Sequence, residues 1–599
     1  MTAGFRGVDN SKKVLLFPVS NPLQTQSHTR AAIVGGKPPS ASFWFLTVSV
    51  LLYVTVLILG TLRAYEHLHI VLLLLQYVLL LPAVLGYLRR QQDSSPALGS
   101  MPIVNLRGTV VCFALLALPL SWLSVRGLLN PDESGYSFQA RIYRSGRIMS
   151  DPLIGASSNV RETPAELFYE NHLLLPNGWF PKFPPGWPLV LSLGYLISAR
   201  WALTPILGLA QLLVIAACGS RCFSRDAGVV AVFFAALSPF YLVNSVGMMS
   251  HALCALLAAV ACFALFSGLA TGSLWYYGGM FACLSATLQV RPYTGFVVTL
   301  VLTAAALWLN RNNRPALLRI FGLGVFWGAI GLAGVLVYNH IYSGHWLISP
   351  YAMFAGANLP PELSFSPIKI WHGMRIYAGQ AAEEGLIGAF PFAYLLAGYA
   401  VLCERQRRQE VWILASLYLA LVLAYLAHVD GYAVFFGERF HFEAFFALLL
   451  LAARGLQLVL ERWHTPRRAL VWTMLLFVLM QGAQQAAVVE TIARRGEPYR
   501  KVREALAVSG VSGLVLLHDG PGFLAKHFNL NEADWRHATR IYLVDAEPDR
   551  RTEWACRYGV AGWTVVSYDA QSHRATFIDG RADCGLRGEP ATKPSSSAQ

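Results

Sequence analysis

Long apolar runs joined by short polar segments dominate the chain. A helix needs about 20 mostly apolar residues to cross the hydrocarbon core of a bilayer, and about thirteen runs meet or approach that length. The predicted spans are 43–62, 67–88, 108–128, 200–220, 226–247, 251–269, 274–290, 293–309, 318–340, 386–403, 411–428, 440–460 and 469–490. The pattern therefore predicts a mainly α, polytopic membrane protein. The composition agrees, because only 13% of the residues are charged, whereas soluble domains have roughly 25%.

Positive charge is concentrated in alternate loops between these runs. If the N-terminus lies inside, every substantial loop on that side is basic, as is typical of cytoplasmic loops. The residues concerned are Arg89, Arg90, Arg107, Arg221, Arg225, Arg311, Arg314, Arg319, Arg405, Arg407, Arg408, Arg462, Arg467 and Arg468. This distribution explains the net charge of +14. Because no stretch interleaves basic and aromatic residues, we expect no nucleic-acid partner.

The same parity assigns the remaining segments to the two sides of the membrane. The polar stretch 1–42 has no early apolar run, so we predict a disordered cytoplasmic N-terminus and not a cleaved signal peptide. The loops 130–199 and 341–385, the turn 428–439 and the tail after about residue 490 are predicted to be extracytoplasmic. In a Gram-negative cell this outer side of the inner membrane would be the periplasm.

The composition changes after residue 490. Short alternating segments at 511–517, 540–544, 562–568 and 575–578 predict strands, and 498–508 and 547–558 predict helices. We therefore predict a transmembrane domain over 43–490, which includes the outer loop 130–199, and an extracytoplasmic α/β domain over 491–590. The Pro/Ser-rich end, 591–599, is predicted to be disordered. The tail contains no glycine-rich nucleotide fingerprint.

Cys556 and Cys584 are the two cysteines of the predicted α/β domain. In an oxidising compartment they have one possible pairing, which would close a loop of roughly 28 residues and stabilise the domain by about 3 kcal/mol. The alternative is a buried Cys556 in a helix and a free Cys584 near the disordered end. The sequence leaves both possibilities open.

Two adjacent carboxylates, Asp132 and Glu133, follow directly on the apolar run 109–129. A charge in hydrocarbon costs a few kcal/mol or more, so the pair is expected at the water boundary, facing protein. One interpretation is structural: Asp132 caps a helix and Glu133 lies in its first turn. The other is a catalytic base at the membrane face. Tyr136 begins the apolar face of an amphipathic helix predicted over 134–147, which Gly146 would end.

Other polar residues fall on the predicted outer side in positions where charge is costly. Lys182 is the one cation of the aromatic- and proline-rich segment 179–188, which suits a rigid interfacial stretch. Arg291, Arg439, Glu438 and His251 lie near the ends of spans. Each also has a simpler interpretation. Lys182 can extend to the interface, Arg439 can pair with Glu438, and His251 can be a hydrogen-bonded packing residue.

Together these motifs resemble the GT-C glycosyltransferases, in particular the bacterial branch of lipid A aminoarabinose transferases, protein mannosyltransferases and Rgt-type transferases. The resemblance covers roughly 108–460. It rests on Asp132-Glu133, Lys182-Phe183-Pro184-Pro185, Arg291-Pro292 and Gly437-Glu438-Arg439-Phe440. It implies a polyprenyl-phosphate sugar as donor. It also implies that Asp132 is the base or an acceptor-positioning group and that Lys182 and Arg439 contact the donor phosphate. By position alone, Glu133 is the candidate partner of Asp132, and Arg291 is a further cation placed where a lipid phosphate would lie.

Two features depart from the family pattern. Two extra predicted spans precede the acidic pair, which relatives place after their first span, and His251 stands where relatives commonly have a second carboxylate. The latter puts a carboxylate-bound metal in doubt, although Asp132 and Glu133 offer oxygen ligands to Mg²⁺ or Mn²⁺.

The leading hypothesis is an inverting glycosyltransferase that acts on a lipid, glycan or protein acceptor at the outer face of the bacterial inner membrane. The alternatives are a transporter or flippase, which would need polar residues along the membrane midplane, and a polymerase or ligase of lipid-linked glycans, which would be expected to centre on a large late outer loop. The sequence has few charges within its spans, and its larger outer loop is early.

Overall fold

The computed structural model describes residues 105–157, 162–356, 393–426, 439–463 and 467–584. Helices make up most of these residues. In chain order they are α1 (Leu106–Arg126), α2 (Pro131–Arg144), α3 (Gly186–Leu196), α4 (Arg200–Cys222), α5 (Arg225–Leu237), α6 (Pro239–Asn244), α7 (His251–Thr271), α8 (Leu274–Val290), α9 (Pro292–Leu309), α10 (Arg314–Ser343), α11 (Pro350–Ala355), α12 (Ala393–Cys403), α13 (Arg408–Leu426), α14 (Phe442–Trp463), α15 (Arg467–Val508) and α16 (Arg551–Arg557).

Seven helical segments of the described chain are long and apolar enough to cross a membrane. They correspond to α1, α4, α7, α9, α10, α13 and the segment Arg439–Arg462, which contains most of α14. The protein is thus a multi-pass membrane protein. The predicted spans 43–62 and 67–88 lie outside the described residues, as does the first part of 386–403, so the total of about thirteen stays a prediction.

The predicted span 226–247 is wrong, because the chain breaks at Ser238. Ser238 has an extended ψ of 120°, and its hydroxyl accepts a hydrogen bond from the Tyr241 amide as the N-cap of α6. Pro239 begins α6, where its missing N–H costs nothing, and it disfavours a helical conformation at the residue before it. After α6, residues 245–250 are not helical. This break brings the amide of Met248 to the base of α2.

α15 is a single helix of 42 residues, about 60 Å long at 1.5 Å per residue. It contains the predicted span 469–490 and the predicted helix 498–508, so the proposed domain boundary at 490/491 falls inside a continuous helix. The apolar run and the polar tail are therefore joined without a flexible linker.

A four-stranded sheet follows α15. Its strands are β3 (Gly513–Leu517), β4 (Arg540–Val544), β5 (Gly562–Asp569) and β6 (Arg574–Arg581), arranged in the order β4-β3-β5-β6. β3 is parallel to both β4 and β5, and β6 is antiparallel to β5. The four predicted strands are thereby confirmed. The predicted helix 547–558 is shorter, because a 3₁₀ turn at Pro548–Arg550 precedes α16.

A hairpin replaces part of the predicted interfacial segment 179–188. β1 (His172–Leu175) pairs with β2 (Gly178–Pro181) in antiparallel register, and α3 begins at Gly186. Trp179 is fully buried in the hairpin. The bulky aromatic residues of this segment therefore fill a protein core, and the segment 179–188 is divided between β2 and α3.

The loop after α1 and the C-terminal sheet share that core. Phe138, Tyr169 and Trp179 pack in one cluster with Leu516 and Trp554 of the sheet region. Buried hydrogen bonds cross the same boundary, from the Ser150 hydroxyl to the Ala533 carbonyl (2.7 Å) and from the Tyr169 hydroxyl to the Tyr542 carbonyl (2.9 Å). The loop and the sheet therefore lie on the same side of the membrane-spanning helices.

Cys556 and Cys584 form a disulfide, with their Cα atoms 5.5 Å apart. This confirms the bridged alternative. The bond ties α16 to the end of β6.

We predict that replacing both cysteines by serine lowers the stability of the sheet region by about 3 kcal/mol, because the closed loop no longer restricts the unfolded chain. Limited proteolysis at increasing temperature, read by fragments that end within 513–584, measures this change. Cys112→Ser is the matched control, since Cys112 is a free, exposed thiol. Equal protease resistance in the double variant and the control would show that the bridge does not stabilise the sheet.

Candidate active site

The first turn of α2 presents the acidic pair. Asn130 is the N-cap, because its side-chain oxygen accepts the Asp132 amide at 2.9 Å, and Pro131 occupies the first helical position. The interpretation of Asp132 as the cap is therefore wrong, whereas the predicted place of Glu133 in the first turn is confirmed. Asp132 also lies in this turn, where the helix dipole favours negative charge. The predicted amphipathic helix is present and begins three residues earlier than expected.

Asp132 is held by two side chains from distant parts of the chain. The Arg439 Nη2 atom lies 3.0 Å from Asp132 Oδ2, and Asn171 Nδ2 donates to Asp132 Oδ1 at 3.0 Å. The Asp132 and Arg439 side chains are only 19% and 14% exposed, so solvent screens their attraction less than that of a surface pair. The structure thus joins two of the predicted site residues, while Glu438, the other suggested partner of Arg439, lies outside the described residues.

The guanidinium of Arg439 has donors left over. Its Nε and Nη1 atoms are buried and have no hydrogen-bond partner within the described chain. Arg439 also lines a small cleft of about 50 Å³ that is partly open to solvent and includes Asn130, Glu133, His251 and Arg495. Buried donors without acceptors are costly. An anion in the cleft would satisfy them.

Glu133 has a different role from its neighbour. Its Oε1 accepts the Met248 amide at 2.9 Å and its Oε2 accepts the Leu129 amide at 3.2 Å. A side chain at Gly247 would collide with Oε1, so glycine leaves room for the carboxyl. Burial raises the pKa of Glu133 to about 7. Glu133 therefore bonds the non-helical segment 245–250 to the first turn of α2.

A second polar cluster surrounds Glu443, which the sequence analysis did not single out. Glu443 Oε1 lies 2.8 Å from His251 Nδ1 and 3.0 Å from Arg291 Nε. Arg291 Nη1 donates to the Ser250 hydroxyl at 3.3 Å, which in turn lies 3.0 Å from the Tyr136 hydroxyl. The predicted residues Tyr136, His251 and Arg291 are thereby brought together. A sequence signal existed: Glu443 is the single acidic residue in the predicted span 440–460.

Phe440 joins the two clusters. Its ring centroid is 5.2 Å from the Cζ atom of Arg439 and 5.6 Å from that of Arg291. One aromatic ring therefore contacts both guanidinium groups, within the range of cation–π attraction. Tyr425 stacks on the same ring at 4.8 Å. Two cations thus converge on one ring, and one of them, Arg439, pairs with Asp132.

Lys182 approaches the site from the hairpin. Its amide donates at 3.0 Å to the carbonyl of Asn171, the residue whose side chain bonds Asp132. Its ammonium group lies 4.3 Å from the ring centroid of Phe354 and 5.1 Å from that of Tyr351. The role of Lys182 in binding donor phosphate stays a prediction.

Within the described residues, the oxygens that would bind the Mg²⁺ or Mn²⁺ ion considered above already accept hydrogen bonds. Both oxygens of Asp132 are engaged by Arg439 and Asn171, and both oxygens of Glu133 accept backbone amides. No group of three or more His, Cys, Asp or Glu side chains that could hold a metal ion occurs in the described residues.

Comparison with solved structures identifies the architecture. ArnT from Cupriavidus metallidurans bound to undecaprenyl phosphate is 13% identical, with a TM-score of 0.50 over 80% of this chain and 99% of that chain. The chain has a GT-C fold. This confirms the resemblance predicted from the sequence. The archaeal oligosaccharyltransferase AglB from Archaeoglobus fulgidus, in complex with an inhibitory peptide and a dolichol-phosphate, matches at 13% identity with a TM-score of 0.42, over 80% of this chain and 75% of that chain. No family model and no curated protein matches the sequence.

We predict that the stability difference between Glu133→Gln and the wild type depends on pH. The folded pKa of Glu133, about 7, lies above the ordinary glutamate pKa of 4.5. Below about pH 4.5, the wild type therefore has the full stability that the protonated Glu133 contributes. It loses up to about 3 kcal/mol of this stability as the pH rises to 7. Since glutamine does not titrate, the variant should gain stability relative to wild type over this window.

Thermal unfolding in detergent at pH 5.0 and 7.5 measures the difference. The exposed Glu490, replaced by glutamine, is the control. A gap between Glu133→Gln and wild type that is the same at both pH values would contradict the raised pKa of Glu133.

Proposed function

We propose that this protein is a membrane glycosyltransferase that moves a sugar from a polyprenyl-phosphate donor to an acceptor hydroxyl, with inversion at the anomeric carbon. The observation that carries the proposal is the buried pair of Asp132 and Arg439, whose guanidinium keeps two donors unpartnered within the described chain beside a cleft. A base and an anion site thus lie side by side. The GT-C fold of ArnT, whose crystal structure contains undecaprenyl phosphate, supports the same donor class.

The donor phosphate would occupy the region of the two guanidinium groups. Arg439 offers Nε and Nη1, and Arg291 is held nearby by Glu443 and Phe440. Charge-assisted hydrogen bonds to phosphate are about twice as strong as neutral ones. Lys182 would supply a further positive charge from the hairpin. The polyprenyl chain would remain in the membrane.

Asp132 would act as the general base. Its carboxylate takes the proton of the acceptor hydroxyl as that oxygen bonds to the anomeric carbon. The bond from this carbon to the phosphate oxygen breaks, and polyprenyl phosphate leaves with the electron pair. Arg439 stabilises the charge that develops on the leaving group. Because attack and departure occur on opposite faces of the sugar ring, the configuration inverts.

The outer face of a bacterial inner membrane is the proposed location. The basic loops support it through the positive-inside rule. The disulfide adds a second argument, since such bonds persist in oxidising compartments. The bridged sheet packs against the loop that carries Asp132, so both would face the same compartment. The acceptor would be a lipid, glycan or protein presented there.

We predict that Asp132→Asn reduces transfer by a factor of about 10² to 10⁴, the usual contribution of a general base, without loss of folded protein. Purified protein in liposomes is incubated with a lipid extract, and consumption of polyprenyl-phosphate sugar is measured by mass spectrometry. Asp151→Asn is the control, because Asp151 is a half-exposed carboxylate paired with Arg147. Wild-type turnover by Asp132→Asn would remove the base assignment.

We predict that Lys182→Ala raises the donor KM roughly tenfold, as expected for a lost charge-assisted bond, and changes the acceptor KM less. Steady-state rates at varied donor and acceptor concentrations separate the two effects. Arg311→Ala is the matched control, because Arg311 also lies over an aromatic ring, that of Trp308, but is exposed at the far end of α9. An unchanged donor KM in Lys182→Ala would leave Lys182 a packing residue.

A further inference from the structure

The C-terminal sheet region reaches the helix that carries Asp132 through residues 526–530, here named the 526–530 segment. The Asn529 amide donates to the Ser134 hydroxyl at 3.0 Å, two residues after Asp132. In return, the guanidinium of Arg141 donates to the Asn529 carbonyl at 3.0 Å and to the Leu530 carbonyl at 3.3 Å. The segment is therefore bonded to both the first and the third turn of α2.

The 526–530 segment also forms hydrogen bonds with both neighbours of Asn171. The Glu170 amide donates to the Lys526 carbonyl at 2.9 Å, and the Glu170 carboxylate lies 2.7 Å from His527 Nε2. This bond to His527 is the main cause that lowers the pKa of Glu170, and the charges of Lys526 and Lys182 add to it.

On the other side of Asn171, the Asn529 side chain lies 3.1 Å from His172 Nε2, and the second ring nitrogen of His172 faces the Glu170 carbonyl at 2.8 Å. Burial lowers the pKa of His172 to about 4, so the ring is neutral. It can donate from Nδ1 to the carbonyl and accept at Nε2 from the amide. His172 is thus fixed by hydrogen bonds on both ring nitrogens.

Asn171 itself has an unusual conformation. Its φ is +67°, in the left-handed region that asparagine enters more readily than other non-glycine residues. It is buried, and its Nδ2 donates to Asp132 Oδ1 at 3.0 Å while its carbonyl accepts the Lys182 amide at 3.0 Å. A residue in this region stays there when its surroundings determine it, and the 526–530 segment supplies those surroundings.

We propose that Asn171 is a positioning residue for Asp132 and that the 526–530 segment holds it in place, so that the sheet region is an integral part of the catalytic site. This inference rests on the proposed function, because it assigns Asn171 a task in proton transfer. With Arg439 on Oδ2 and Asn171 on Oδ1, the plane of the carboxylate is fixed. One lone pair is then directed at the acceptor hydroxyl throughout turnover.

Asn171→Gly tests the positioning role, since glycine adopts the left-handed conformation without strain and removes only the side chain. In the liposome assay with polyprenyl-phosphate sugars from a lipid extract, we expect the maximal rate to fall between about 10-fold and 100-fold, the effect of misplacing a catalytic group by about 1 Å. The donor concentration at half-maximal rate and the unfolding temperature should change little.

Asn171→Asp is the second variant, because it preserves shape and backbone tolerance but replaces the donor by a carboxylate facing Asp132. We expect at least the same loss of rate. A merely structural role would leave both variants with the wild-type maximal rate, or would lower the rate only together with the unfolding temperature. Either result would overturn the inference.

His527→Ala tests the link to the sheet region. Alone it should lower the maximal rate between about 3-fold and 10-fold, and in the Asn171→Gly background it should have no further effect, because residues that act through one another are not additive. Independent, multiplying losses would overturn the link. Asp132→Asn in the same assay separates the two proposals: an active Asp132→Asn contradicts the base assignment, whereas an inactive Asp132→Asn with an unaffected Asn171→Gly contradicts the positioning role alone.

Discussion

The ion pair between Asp132 and Arg439 is the interaction on which the site depends. A carboxylate close to hydrocarbon is tolerated when its charge is compensated, and Arg439 supplies that compensation at 3.0 Å. The two residues of the pair are 307 positions apart in the sequence. Asp132 lies in the first turn of α2, and Arg439 precedes α14, so the pair connects distant parts of the chain. Glu443 obeys the same constraint with Arg291 and His251. Glu133 is instead stabilised by hydrogen bonds from backbone amides, and its pKa is raised, which favours the neutral form.

The surrounding fold serves these polar groups in specific ways. The chain breaks between α5 and α6, and the non-helical segment 245–250 follows α6. In this segment the Met248 amide donates to Glu133. The indole of Trp187 donates to the Met248 carbonyl at 2.7 Å, so both the amide and the carbonyl of Met248 are hydrogen-bonded. Ser250 and His251 follow at once and reach the second cluster. An interrupted span thus connects the acidic pair with the cations near Phe440.

Much of this arrangement could be predicted from sequence because charge in an apolar environment is conspicuous. Asp132, Arg291 and Arg439 were found by their positions at the ends of apolar runs, and the strands by their alternation. Ser238-Pro239 is a cap followed by a first-turn proline, a recognisable helix start, but the apolar residues around it suggested a continuous span. The role of Asn171 could not be predicted from the sequence, because it depends on a tertiary contact between this loop residue and Asp132.

The length of α15 has a mechanical consequence. The helix passes the end of α1 so closely that a Cβ atom at Gly127 would lie 2.6 Å from the backbone of Gly496. The two helices therefore touch backbone to backbone only five residues before Asp132, and the sheet sits at the far end of the same rod. The sheet that follows α15 also shares a core with the loop that carries Asp132. A movement of α15 would therefore displace the sheet and the base together.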